Sequence, residues 1–134
     1  MKDLTLKERR SLVNFAKAWC MLYFGENGRA GKALSVRVVA PEDEDDWDNN
    51  LYGWYLERTH RICININTSK QVKQFLKTFV HEYTHSIQPV KTHYRRYSKV
   101  FGYRDNPYEV HARANEIYYE HIWKCYKTIV LKKK

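Results

Sequence analysis

Along the first part of the chain, Leu12, Phe15, Ala16, Trp19, Leu22 and Tyr23 recur at helical spacing up to a stop at Gly25. Thr5 followed by Glu8 has the form of a capping box, which places the start of this amphipathic helix. Beyond the turn-rich GENGRAGK the period changes. Residues 34–40 (LSVRVVA) alternate as a strand does, and 52–57 (YGWYLE) and 60–66 (HRICINI) read as two strands joined by a short turn. In the last of these, Ile62, Ile64 and Ile66 share one face while Arg61, Cys63 and Asn65 share the other, which predicts one core face and one outside it. A second helix is expected from about Lys70 to Gln88, where Pro89 follows its end. A polar, tyrosine-rich connection then leads to Asn106. The residues NPYE open a last helix, with Asn106 as cap and Pro107 at the first helical position, reaching about Lys127. The order predicts an α+β fold: an N-terminal helix, a small three-stranded sheet, a second helix and a C-terminal helix. A chain of 134 residues suits a single domain spanning 1–134.

Composition supports an ordered chain, because 43% of residues are hydrophobic and eleven Tyr, five Phe and four Trp supply bulky core material. The opening MKDLTLKERR lacks the apolar core of a secretory signal, and no later run approaches a membrane span, so a cytoplasmic protein without a membrane partner is expected. Cys20, Cys63 and Cys125 are odd in number, far apart and without CxxC spacing. They are expected to be reduced, buried thiols rather than a disulfide framework or a thiolate zinc site.

Charge changes the picture in one place. The formal net charge is +9, yet six of the fifteen acidic residues fall within PEDEDDWD, 41–48, which leaves the remainder strongly basic. That balance can attract nucleic acid or an acidic protein, although no RNP, zinc-finger or helix-turn-helix pattern accompanies it. Asp46, Asp48, Asn50 and Glu57 fall at calcium-loop positions, but Leu51 stands where that loop needs glycine, and strands flank it. A solvated acidic loop is the expectation, with a reversible plug for a basic cleft as its functional counterpart.

The second helix carries His81-Glu82-Tyr83-Thr84-His85, an HExxH sequence. Histidines at i and i+4 lie one turn apart on one helical face, so their imidazoles can take adjacent corners of a zinc tetrahedron. Glu82 projects beside them, where its carboxylate can take a proton from a water in the open position. Val72, Phe75, Leu76, Phe79, Tyr83 and Ile87 cluster on the opposite side of the helix. Gln74, Thr78, His81, His85 and Gln88 form a mostly uncharged polar stripe suited to a cleft wall. A catalytic zinc needs a third protein ligand. Glu109, His111, His93, His60 and Cys63 are the candidates, and Glu109, in the first turn of the last helix, is preferred. Asn106 and Glu109 also have capping-box spacing, which would account for the glutamate without a metal. His111 sits on nearly the opposite side of the same helix from Glu109, so the two cannot share one ion in a regular helix.

HExxH after a small sheet, then a glutamate on a following helix, resembles the gluzincin branch of the zincin metallopeptidases. HEYTHSIQ and NPYEVHARANE resemble the compact metallopeptidase-like proteins of large phages and bacteria. The resemblance implies a zincin-like fold and Zn2+ on His81, His85 and Glu109, with Glu82 as general acid and base and a peptide or protein as substrate. His111 departs from it, since a second acidic residue often stands two positions after the glutamate. SprT-like proteases are a related comparison. They act on protein crosslinked to DNA and use a histidine as third ligand, for which His93 would replace Glu109. Edge strand 52–57 is expected to align an extended peptide, with one of Tyr94, Tyr97, Tyr103, Tyr108, Tyr118 or Tyr119 stabilising the oxyanion and Arg113 able to orient Glu109. The rival class is an inert zincin fold or basic binding module docking on nucleic acid or protein.

Overall fold

The computed structural model describes residues 3–26, 33–39, 51–88 and 91–131, and leaves the side chains of 91–93 outside. Its centre is α2 (Val72–Ile87), a helix buried around most of its circumference. Phe75, Leu76, Phe79, Val80 and Tyr83 are fully buried on it. Their side meets Leu12, Val13, Ala16 and Cys20 of α1 (Leu6–Phe24), Ile62 and Ile64 of β3 (Arg61–Asn65), and Ile122 and Tyr126 of α5 (Tyr119–Ile129). The expected capping box of α1 forms, Thr5 N–H donating to Glu8 at 2.9 Å and Glu8 N–H to Thr5 Oγ1 at 3.1 Å. At its other end Gly25 takes φ +82°, a value that favours glycine, and its carbonyl accepts the Tyr83 hydroxyl at 2.6 Å. That bond fixes α1 to α2.

The sheet has order β1-β3-β2, with β1 (Ser35–Val39) parallel and β2 (Gly53–Leu56) antiparallel to the central β3. The architecture is α+β, and among the described residues no helix is long and apolar enough to cross a membrane. Strand alternation identifies the core face of β3, since Ile62 and Ile64 join the hydrophobic cluster and Cys63 and Asn65 do not, but Cys63 and Asn65 are buried as well. Asn65 Nδ2 donates to Leu51 O at 2.7 Å, and Asn67 N–H donates to Asn65 Oδ1 at 2.8 Å, so its amide is satisfied in place. Cys20 and Cys63 are buried thiols, whereas Cys125 is only half-buried.

Two helical expectations are corrected. The tyrosine-rich connection is a helix, α3 (Lys91–Asp105), interrupted at Gly102 by φ +78°. Its residues are too polar to show an apolar period, since α3 covers the cleft rather than the core. The last helix is not continuous. It divides into α4 (Pro107–Asn115), a 3₁₀ turn (Glu116–Tyr118) and α5, which lets α4 bury Glu109 and Ala112 while α5 buries Ile122 and Tyr126. The acidic stretch 41–48, and with it Asp46, Asp48 and Asn50 of the calcium reading, lies outside the described residues.

Gly53 shows how closely β2 approaches α2. A Cβ there would stand 2.6 Å from Thr78 Cγ2 and 2.8 Å from the Cys63 carbonyl oxygen, and 3.7 Å from Glu82 Cγ. The carbonyl belongs to the partner strand and has little room to give. Gly53→Ala is expected to push β2 from α2 and to destabilise the protein by roughly 1–3 kcal/mol in urea unfolding. An unchanged midpoint would show that the strand has slack.

Candidate functional site

His81 and His85 extend from the polar side of α2, one turn apart, with ring centroids separated by 5.0 Å. Above them α4 delivers Glu109 from its first turn, with a side chain only 4% exposed. His81 Nε2 lies 3.0 Å from Glu109 Oε1 and His85 Nε2 3.1 Å from Oε2. One donor atom from each residue fits within a span of 4.8 Å. Asn106 caps α4 by accepting from Tyr108 N–H at 2.9 Å, but Glu109 makes no reciprocal bond to it. Asn106 N–H donates instead to Tyr103 O. The capping box is thus absent, and the glutamate serves the cleft.

Each imidazole is gripped from behind. His81 Nδ1 meets Glu116 Oε2 at 2.7 Å, and His85 Nδ1 meets Gln88 Oε1 at 2.7 Å. Gln88 Nε2 donates to Tyr108 O at 2.9 Å, which fixes the amide so that its oxygen faces His85. Both Nδ1 atoms therefore donate outward, and both Nε2 atoms turn to Glu109. Carboxylate and amide oxygens of this kind fix the ring and tautomer of metal-binding histidines. Tyr94 of α3 completes the support by donating to Glu109 Oε2 at 2.6 Å.

Electrostatics fit the same use. Burial disfavours charge on His81, but its bonds to Glu109 and Glu116 outweigh that and hold its pKa up to about 10. His85 is raised in the same way, burial opposing and Glu109 and Glu82 prevailing. Burial acts against charge on Glu109 too, yet its bonds to His81, His85 and Tyr94 keep it well below the usual carboxylate range. Both Nε2 atoms thus face one carboxylate, and the three donors could hold a metal ion in place of the hydrogen bonds they share. Glu82 is different: burial, reinforced by Glu109 and Glu116, pushes its pKa up against the pull of His81 and His85. It is buried beside the trio under Gly53.

The other candidates are elsewhere. His111 contacts Gln88 Nε2 at 3.2 Å and Asn115 at 3.4 Å and is not in the trio. His60 is buried in the β2–β3 turn at φ +52° with its Nδ1 2.6 Å from Tyr55 Oη, and Cys63 is packed in β3. His93 falls in α3, its side chain outside the described residues. Arg113 donates to the Arg104 carbonyl, so it is Tyr94 that orients Glu109. Tyr118 joins Trp19, Tyr23 and Phe24 in an aromatic cluster, Tyr119 packs against the hydrophobic core, and Tyr97 packs on Phe101 and Tyr108. Glu116 escaped the sequence reading. Its signal was the seven-residue step from Glu109, which returns a helical side chain to nearly the same face.

Zinc added to the purified protein is expected to bind at about one ion per chain, and His81→Ala or Glu109→Ala to abolish binding. Glu116→Ala is expected to weaken it about 10- to 100-fold, while Arg113→Ala leaves it unchanged. Competition with a chromophoric chelator measures all four. Family models, curated proteins and solved structures yield no match to the chain, so the geometry of these side chains carries the functional reading.

Proposed function

We infer that the chain is a zinc-dependent peptidase of gluzincin type with a zincin-like fold, three strands of which lie among the described residues. The observation that carries this reading is the convergence of His81, His85 and Glu109 within 4.8 Å, with Glu82 buried beside them in a cleft bounded by an edge strand. Zinc, when held there, polarises a carbonyl and lowers the pKa of water. Glu82 accepts the proton of the attacking water as its oxygen bonds to the scissile carbonyl carbon. It then passes that proton to the leaving nitrogen as the C–N bond breaks, so one water is consumed and a carboxylate and an amine result. A structural metal has no use for such a carboxylate.

The edge strand supports the reading on the substrate side. Asn65 N–H donates to Tyr52 O at 2.9 Å, so by antiparallel alternation the neighbouring Gly53 turns its backbone N–H and C=O away from β3. An extended peptide can pair there and lie across Glu82. Tyr103 is the phenol we assign to a developing oxyanion, because it lines the cleft on both sides of His81 and Glu82, just past the break at Gly102. Its hydroxyl, like that of Tyr94, also bonds Glu109.

The second reading, a basic module for nucleic acid or protein, draws on one observation. Arg95, Arg96, Lys99 and Arg104 are all exposed on α3. They lie outside the cleft, and that surface can serve alongside hydrolysis.

With zinc loaded, Glu82→Gln is expected to keep the metal and to lose about 100- to 10,000-fold in peptide hydrolysis, measured on an unfolded protein. Hydrolysis at the wild-type rate would end the peptidase reading. Tyr103→Phe is expected to lower kcat by about 100- to 1,000-fold with zinc retained. Tyr94→Phe should instead weaken zinc binding, and the two variants are separated by comparing kcat with metal affinity.

A further inference from the structure

The cleft has two unlike lobes that meet over His81 and Glu82. One, about 300 Å3, is walled by Trp54 and Tyr55 of β2 and by Tyr94, Tyr103 and Tyr108. The other, about 320 Å3, is lined by Tyr52, Gln74, Lys77, Thr78 and Glu116 beside the shared residues. The first is the richer in aromatic rings, beside Glu57, His85, Gln88 and Glu109, and the second adds Gln74, Lys77 and Glu116 to Tyr52 and Tyr103. Tyr94 stands 6.0 Å from the His85 ring and 6.3 Å from Tyr108, and Tyr108 5.6 Å from Tyr97. This chain of rings extends the wall of the aromatic lobe directly from the metal-binding histidine. An apolar cavity of about 150 Å3 already takes up benzene, so the lobe has space for an aromatic side chain.

The lobes also have an order along the chain. Beyond the shared Leu51, Gly53, His81, Glu82 and Tyr103, the polar lobe touches Tyr52 and the 74–78 end of α2, and the aromatic lobe touches residues 54–57 and the 85–88 end. β2 and α2 therefore run in the same direction along the cleft. A peptide pairing antiparallel to β2, the more stable of the two pairings, runs from the aromatic lobe to the polar one. Resting on the peptidase reading, we propose that this site selects extended peptides in which an aromatic residue supplies the scissile carbonyl, with its ring in the lobe of Trp54, Tyr94 and Tyr108. The residue after the cut enters the polar lobe beside Lys77 and Glu116. Rings stacked edge-on or offset against the wall favour Phe, Tyr or Trp over aliphatic side chains.

Two measurements test this. Zinc-loaded protein is given a mixture of unfolded polypeptides, and the new termini are mapped by mass spectrometry. New C-termini should be enriched in Phe, Tyr and Trp, and Trp54→Ala should lower kcat/KM at those sites at least tenfold while sparing cuts after small residues. In parallel, zinc-loaded Glu82→Gln is titrated calorimetrically with peptides that differ only by Phe or Ala at that position. The Phe peptide should bind at least tenfold more tightly. Aromatic residues on the amine side of the cut, or no preference in either measurement, would overturn the proposal. Absence of cleavage together with a Phe preference in the titration would overturn the peptidase reading and leave the aromatic lobe standing as a binding site.

Discussion

The site depends on one buried carboxylate held between two imidazoles. Glu109 comes from α4, His81 and His85 from α2, and the two helices must pack face to face for the contacts of 3.0 and 3.1 Å to exist. Their packing is reinforced away from the trio, where Asn115 Nδ2 donates to Thr84 Oγ1 at 3.1 Å and Gln88 Nε2 to the Tyr108 carbonyl. A carboxylate as deeply buried as Glu109 is costly to the fold without positive partners. The paired imidazoles therefore orient the helices as well as form the site.

α3 is the clearest case of an element that exists for the site. Among the described residues it contributes none to the hydrophobic core, and its inner contacts join ring packing of Tyr94 and Tyr97 on Tyr108 to hydrogen bonds: Tyr94 to Glu109, and the Tyr94 carbonyl and Ser98 hydroxyl to Asn106 Nδ2 at 3.0 and 2.9 Å. Asn106 is fully buried and joins three things at once, capping α4, holding α3 and so setting where Glu109 begins its helix. The helix break at Gly102 then carries Tyr103 over the cleft.

Much of this was legible in the sequence, for reasons that differ by element. α1 announced itself because its capping box and apolar stripe are local signals, and the HExxH face was legible because ligand spacing and the polar stripe coincide on α2. Glu109 was found by its place at the start of a capped helix. What was illegible depends on contacts distant in sequence. Asn65 of β3 is buried because its amide bonds Leu51 and Asn67, and α3 shows no apolar period because its inner contacts mix hydrogen bonds with tyrosine rings. Glu116 reaches His81 across 35 positions, and its one signal, the seven-residue step from Glu109, is shared with any glutamate on that helical face.

The two halves of α2 explain how so small a chain holds such a site. Phe75, Leu76, Phe79 and Tyr83 bury completely against α1, β3 and α5, and this favourable burial anchors the helix whatever its other side does. The polar side can then carry Thr78, His81, Glu82 and His85, residues whose burial opposes folding unless each is bonded. Thr78 is bonded to Ser69 and Gln74, and both histidines have partners on each ring nitrogen. Glu82 is the exception in kind: a buried carboxylate with a raised pKa, whose surroundings resist its charge. Selection for stability alone would replace it with an apolar side chain. Under the peptidase reading, its place at the meeting point of both lobes is that of the base.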